Sequence, residues 1–287
     1  MKNSTPTILS VLAHPDDETF GMGGTLALYA HKGYDVYLVC ATRGEAGEIA
    51  PGVNATPQNL GQVREEELRC AAEKIGLTNL YFLDYRDSGM IGTPENNDPR
   101  CLWQANLMEV TEKVVRLVRR HKPQVMLTFD PNGGYGHPDH IKIHQATMIA
   151  YFVAGDARIF PEQIAKEDLQ PWTPLKLYWG AFSRSRFEKF VEMAKKTGAV
   201  VPEQLKEIIK RSAPDEVITT RVNVADFVDL KLNALFCHAS QMNPDSMWSK
   251  IPERIRKEGM KVETLIRAES RVAPHEGIED DLFIGVD

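Results

Sequence analysis

The chain has 287 residues, a formal net charge of −6, 43% hydrophobic and 26% charged residues. That length buries a large core, as one α/β domain or as one domain with a substantial extension, and the composition is that of an ordinary soluble globular protein. Its basic residues are scattered rather than striped, which argues against nucleic acid or an anionic membrane as the main partner.

Residues 7–13 read as a buried strand, 21–32 as a helix stopped by Gly33, and 35–41 as a second strand, which together make a βαβ unit and hence a parallel sheet. A Gly-, Pro- and Asn-rich loop over 42–59 leads to a helix over 60–75, stopped by Gly76, and a short strand over 79–83. A polar loop over 84–99 precedes a helix over 103–120, whose basic end suits the negative pole of the helix. A strand over 125–129, the loop DPNGGYGHPDH and a helix over 140–152 follow. Beyond 155 prolines interrupt the pattern, with a strand at 176–179, helices at 186–196 and 202–210, a strand at 217–222 and a helix at 224–238. The expected fold is α/β, a Rossmann-like, mostly parallel sheet flanked by helices, with a less regular α+β C-terminal part. Residues 1–154 form the core and 155–287 an extension packed on it and shaping the substrate site.

No apolar segment approaches membrane-spanning length, and the N-terminal apolar run is too short for a signal peptide, so a cytoplasmic protein without membrane insertion is expected. Cys40, Cys70, Cys101 and Cys237 lie far apart with no C-x-x-C pair, which reads as reduced, partly buried thiols.

Two strand ends carry matching chemistry. AHPDDET (13–19) follows the first strand, and HPDH (137–140) lies in the loop after the strand at 125–129. Like charges crowded at a buried strand end cost stability unless a cation or solvent answers them. His and Asp are ligands that zinc accepts, and a catalytic zinc takes three of them while keeping a position open. His14, Asp17 and His140 supply two nitrogens and a carboxylate, although spacing alone does not separate His140 from His137. Adjacent side chains on a turn diverge, so one of Asp16 and Asp17 can ligate while the other acts as a general base. His144 lies four residues after His140, but no glutamate stands next to His140, so His144 reads as a residue that packs or supports a ligand from behind. Gly21–Gly24 lacks the spacing of a phosphate loop and reads as close backbone packing.

AHPDDETFGMGGT with the downstream YGHPDH resembles the LmbE-like, or PIG-L, family of metal-dependent de-N-acetylases. The resemblance places the metal triad on His14, Asp17 and His140, the general base on Asp16, and an acid pair on His137 and Asp139. It matches Arg64 in QVREEEL to a substrate-contacting arginine and Tyr135 to a mobile tyrosine that reaches the reacting carbonyl. KLNALFCHASQM resembles a family segment with His238 near the site, and Arg43, near the end of the second strand, is a further candidate for substrate contact. The implied activity is zinc-dependent removal of an acetyl group from a small molecule containing N-acetylglucosamine, with Fe(II) able to occupy the same ligands. Asp16 takes the water's proton, zinc and His137 or Tyr135 hold the oxyanion, and Asp16, or a His137 kept charged by Asp139, protonates the amine. Oligomers are common among relatives. Alternatives are an amidase acting on a thiol S-conjugate or another acylated amino sugar, a nucleotide-binding oxidoreductase (disfavoured by the missing glycine fingerprint), and a non-catalytic metal- or sugar-binding scaffold.

Overall fold

The computed structural model describes residues 5–196, 209–243 and 251–286. Seven strands form one sheet: β1 (Thr7–Leu12), β2 (Asp35–Thr42), β3 (Asn79–Tyr85), β4 (Val125–Thr128), β5 (Lys176–Ala181), β6 (Thr220–Asn223) and β7 (Val262–Ser270), in the order β3-β2-β1-β4-β5-β7-β6. The first five strands of that order run parallel, and β7 is antiparallel to both of its neighbours.

Every residue of β1 is buried, as a strand with both faces covered requires. Alternate side chains enter opposite layers. Ile8 and Leu12 pack with Leu26 and Tyr29 of α1 (Asp17–His31) and with Leu68 and Ile75 of α2 (Leu60–Ile75). Leu9 and Val11 pack on the other face with Val110, Val114 and Val118 of α3 (Leu107–His121). They also meet Ile143, Ala146 and Ala150 of α5 (Pro138–Val153), which follows the single turn α4 (Gly133–Gly136). The helix Val228–Leu235 lies against α1 and α2.

The chain runs from β1 outward to β2 and β3, then returns to the other side of β1 as β4. Such a reversal opens a crevice at the carboxyl ends of the two central strands, here β1 and β4. Both acid- and histidine-bearing loops begin there.

Several expected elements are displaced. The first helix begins at Asp17 and is broken at Met22 (φ −144°, ψ 21°). The break is satisfied from the far end of the chain. Glu263 accepts the amides of Gly24 (2.9 Å) and Thr25 (2.7 Å), and Lys231 donates to the Phe20 carbonyl (3.3 Å) and to Glu263 (2.5 Å). Gly24 is needed for close approach, because a Cβ there would lie 2.7 Å from Val224 Cγ2. α3 begins later than expected, where Asn106 caps it by accepting the amides of Met108 and Glu109. Most of the helix expected at 202–210 lies outside the described residues. β7 and the helix Glu253–Met260 have no counterpart in the sequence reading. The C-terminal extension thus adds three strands, β5, β6 and β7, to the one sheet.

The expectation of four reduced thiols is overturned. Cys70 and Cys237 form a disulfide between α2 and the segment after the helix Val228–Leu235, and Cys40 and Cys101 remain free and buried. Sequence distance hid the pair, since 167 positions separate them. Among the described residues no helix is long and apolar enough to cross a membrane.

Candidate functional site

His14 leaves the end of β1, Asp16 stands at the N-cap position of α1 with its side chain free of any capping bond, and Asp17 is the first residue of the helix. His137 caps α5, whose first turn carries Asp139 and His140. The two turns meet in the crevice, where the ring of His14 is 4.5 Å from that of His137 and 5.0 Å from that of His140.

Hydrogen bonding sets which nitrogens are available. His14 Nε2 faces Asp139 Oδ2 at 3.2 Å, and His140 Nδ1 faces the Gly133 carbonyl at 3.1 Å. A carboxylate and a carbonyl only accept, so those nitrogens carry the protons. The nitrogens left over, His14 Nδ1 and His140 Nε2, lie 3.1 Å apart. Two lone pairs meet at that distance only when a cation, whether a proton or a metal, joins them. Asp17 adds Oδ2 at 3.6 Å from the first nitrogen and Oδ1 at 3.3 Å from the second. Tetrahedral zinc, with bonds of about 2.0–2.1 Å to nitrogen, spaces its ligand atoms by about 3.3 Å. The donor set therefore fits a divalent cation. Burial works against charge on His14, but Asp87 and Asp139 outweigh it and hold its pKa well above the usual value. A proton on His14 stands where the cation would sit. Burial, assisted by His14, keeps His140 below the usual value.

His14, His137 and His140 each bring a nitrogen within 4.8 Å of the other two. His137 shares the tautomer of His14, and His140 has the other. His137 Nδ1 accepts the Asp139 amide at 3.2 Å, which leaves its proton on Nε2. Burial and the two neighbouring imidazoles push His137 down to about 3, so it is a neutral N–H donor. The expected pairing of Asp139 with a charged His137 does not form. Asp139 instead accepts from the Ser88 amide (2.9 Å), the Ser88 hydroxyl and His14, which orients the His14 ring. Tyr135 is 49% exposed, with its ring 5.1 Å from that of His140. It stands between glycines at positive φ, Gly134 (69°) and Gly136 (94°), a backbone that only glycine adopts freely.

Asp16 lies outside the triangle of donors. Its backbone is in the left-handed region (φ 119°), a strained position for a non-glycine residue. Arg64 Nη2 donates to Asp16 Oδ2 at 3.1 Å, and Oδ1 makes no hydrogen bond among the described residues. Burial pushes the Asp16 carboxyl up to about 7 against the opposing pull of Arg64.

The three residues expected to touch substrate are engaged elsewhere. Arg64 is 4% exposed and donates to Asp16, to the Pro15 carbonyl and to the Gly44 carbonyl (3.0 Å), so it braces the loop from behind. Arg43 pairs with Glu65 and Asp84 and lies over the Phe82 ring, a surface ion pair. His238 is fully buried, its Nε2 on Glu18 Oε1 at 2.7 Å. As expected, His144 packs: its Nδ1 meets the Phe129 carbonyl at 2.8 Å and its ring abuts Trp179. Sequence reasoning missed Asp87 and Ser88. Asp87 is buried 3.5 Å from His14 Nε2, and His14 and His137 hold its carboxyl well below the usual range against its burial. The available signal was position: both residues follow β3 closely, at the same carboxyl end of the parallel strands as the two motifs.

Comparison with known proteins identifies the family. Residues 9–151 match the PIG-L family of GlcNAc-PI de-N-acetylases. A 1D-myo-inositol 2-acetamido-2-deoxy-alpha-D-glucopyranoside deacetylase from Acidothermus cellulolyticus is 37% identical over 98% of this chain and 95% of its own length. The protein of the same name from Thermobifida fusca is also 37% identical, over 96% of this chain and 98% of its own. Among solved structures, N,N'-diacetylchitobiose deacetylase from Pyrococcus horikoshii superposes with a TM-score of 0.63 at 20% identity, over 92% of this chain and 83% of that one. The 4-carboxy-2-hydroxymuconate hydratase from Pseudomonas putida superposes with a TM-score of 0.60 at 21% identity, over 94% and 99%. A fold shared by a deacetylase and a hydratase does not choose the reaction. The near full-length identity to the deacetylases is the stronger tie, and on it the chain belongs to the PIG-L de-N-acetylase family.

Proposed function

We propose that this chain is a zinc-dependent hydrolase that removes the acetyl group from an N-acetylglucosamine-containing small molecule, of the inositol-linked kind for which its relatives are named. The observation that carries the reading is the pair of facing acceptor nitrogens on His14 and His140, completed by Asp17, with Asp16 beside them and outside the set. His14, Asp17 and His140 would hold the ion. When bound, zinc lowers the pKa of water to about 7 and polarises an amide oxygen.

The remaining work falls to the chain. Asp16 takes the proton of the attacking water on Oδ1, while Arg64 occupies Oδ2 and fixes the plane of the carboxylate. His137, neutral with its proton on Nε2, donates a hydrogen bond to the carbonyl oxygen as negative charge develops there. Tyr135, half exposed on its glycine-flanked turn, can close over the same oxygen. Asp16 then returns its proton to the departing amine. His137 does not serve as the resting acid, because its burial and the two neighbouring imidazoles outweigh the pull of Asp87 and Asp17 toward the charged form.

Metal analysis with an amine-release assay on N-acetylglucosaminyl glycosides tests the proposal. Asp16→Ala is expected to keep bound metal and lose about 10²–10⁴-fold in kcat, whereas His14→Ala loses both metal and turnover. Near wild-type rates from Asp16→Ala would remove it from the mechanism.

A further inference from the structure

The mechanism places Asp16 but does not say what keeps it in place. Its φ of 119° is strained for a non-glycine residue and persists only where the surroundings enforce it. One end of that enforcement is Arg64, on the carboxylate. The other is Glu18, whose Oε2 accepts the Asp16 backbone amide at 3.0 Å. Glu18 is fully buried, and its second oxygen, Oε1, accepts from His238 Nε2 at 2.7 Å. His238 is likewise fully buried and lies 220 positions further along the chain. Neither side chain reaches the donor triangle. The three donors are held by other means: His14 by Asp139, His140 by the Gly133 carbonyl, and Asp17 by the His14 amide, which donates to Asp17 Oδ2 at 2.7 Å.

We propose that Glu18 and His238 form a positioning pair for the general base: Glu18 clamps the Asp16 backbone in its left-handed conformation, and His238 fixes the Glu18 carboxylate so that it can. The proposal rests on the reading of Asp16 as general base. Because the pair is separate from the donors, it governs where Asp16 points and leaves metal affinity alone. Loss of a supporting hydrogen bond of this kind typically costs about 10–100-fold in activity.

His238→Leu and His238→Gln separate this role from a packing role, the amide of Gln being able to donate to Glu18. The expected result for His238→Leu is a fall in kcat of about 10–100-fold, with KM and zinc stoichiometry unchanged. His238→Gln should recover most of the rate. Should His238→Leu not fold, Glu18→Ala carries the same expectation. Full kcat in either deletion variant, loss of zinc together with rate, or failure of His238→Gln to recover would overturn the proposal. A crystal structure of the deletion variant supplies a readout independent of turnover. Asp16 should leave the left-handed region, and an unchanged φ there would defeat the clamp even if no substrate had been found. A wild-type protein inert toward every N-acetylglucosaminide would instead defeat the functional reading.

Discussion

At Arg64 the structure exchanges a substrate contact for a brace, and the two roles make opposite kinetic demands. An arginine that touched substrate would register in KM when removed. One that holds Asp16 Oδ2, the Pro15 carbonyl and the Gly44 carbonyl registers in kcat. Arg64→Lys keeps the charge but not the fork that reaches all three acceptors. It is expected to lower kcat about 10-fold or more with KM nearly unchanged in steady-state assays, and a rise in KM at constant kcat would return Arg64 to the substrate. The residues of the proposed metal site stand out in the sequence because their chemistry is local: each turn shows its histidine and carboxylate within a few positions. Arg64 and His238 were legible as residues of interest but not in their roles, because the groups that claim them, Asp16 and Glu18, lie 48 and 220 positions away. Asp87 was not legible at all, since an acid in a polar loop looks like any solvated acid until the fold buries it beside His14.

Among the elements, those built on near-continuous apolar runs or helical periodicity were read nearly to their ends, as with β1, β2 and α2. The start of α1 was missed because its first turn is made of site residues, Asp17 and Glu18, and a break at Met22 separates it from the periodic part. β7 was missed because it carries charge: Glu263, Arg267 and Glu269 sit on the strand, and the first two are answered by partners elsewhere in the chain. Glu263 meets Lys231, and Arg267 meets Glu279, which also accepts from Lys176 (2.9 Å) and Tyr178 (2.8 Å). Burial alone would raise the Glu279 carboxyl, but the bonds from Lys176, Tyr178 and Arg267 outweigh it and leave it below the usual value. A depressed carboxyl contributes stability that is present above the unfolded pKa of about 4.3 and is lost as pH falls through the folded value. Glu279→Gln leaves the buried Lys176 uncompensated and should cost about 3–5 kcal/mol near neutral pH. Urea titrations at pH 7 and at successively lower pH check both points. The gap between variant and wild type should close below about pH 4, and a gap of constant size would contradict this account.

Across the whole molecule, the disulfide Cys70–Cys237 joins α2, which carries Arg64, to the segment that carries His238. Cross-linking residues 167 positions apart removes chain entropy from the unfolded state worth about 5 kcal/mol on a loop-closure model. Reduction, or Cys70→Ser, is therefore expected to lower Tm by on the order of 10 °C. Calorimetry with and without reductant tests this, and equal melting of wild type and Cys70→Ser under oxidising conditions would show that the bridge contributes nothing.

The broken first helix has a consequence for the order in which the molecule is made. A chain emerging from the ribosome as far as α5 already carries every proposed ligand and the proposed general base. The groups that close the break at Met22 and grip the loop before it, Lys231, His238 and Glu263, are still to be synthesised. Nascent chains at that stage hold the reactive groups without the frame that aims them, so the aim is set only once the stretch from Lys231 to Glu263 has been made.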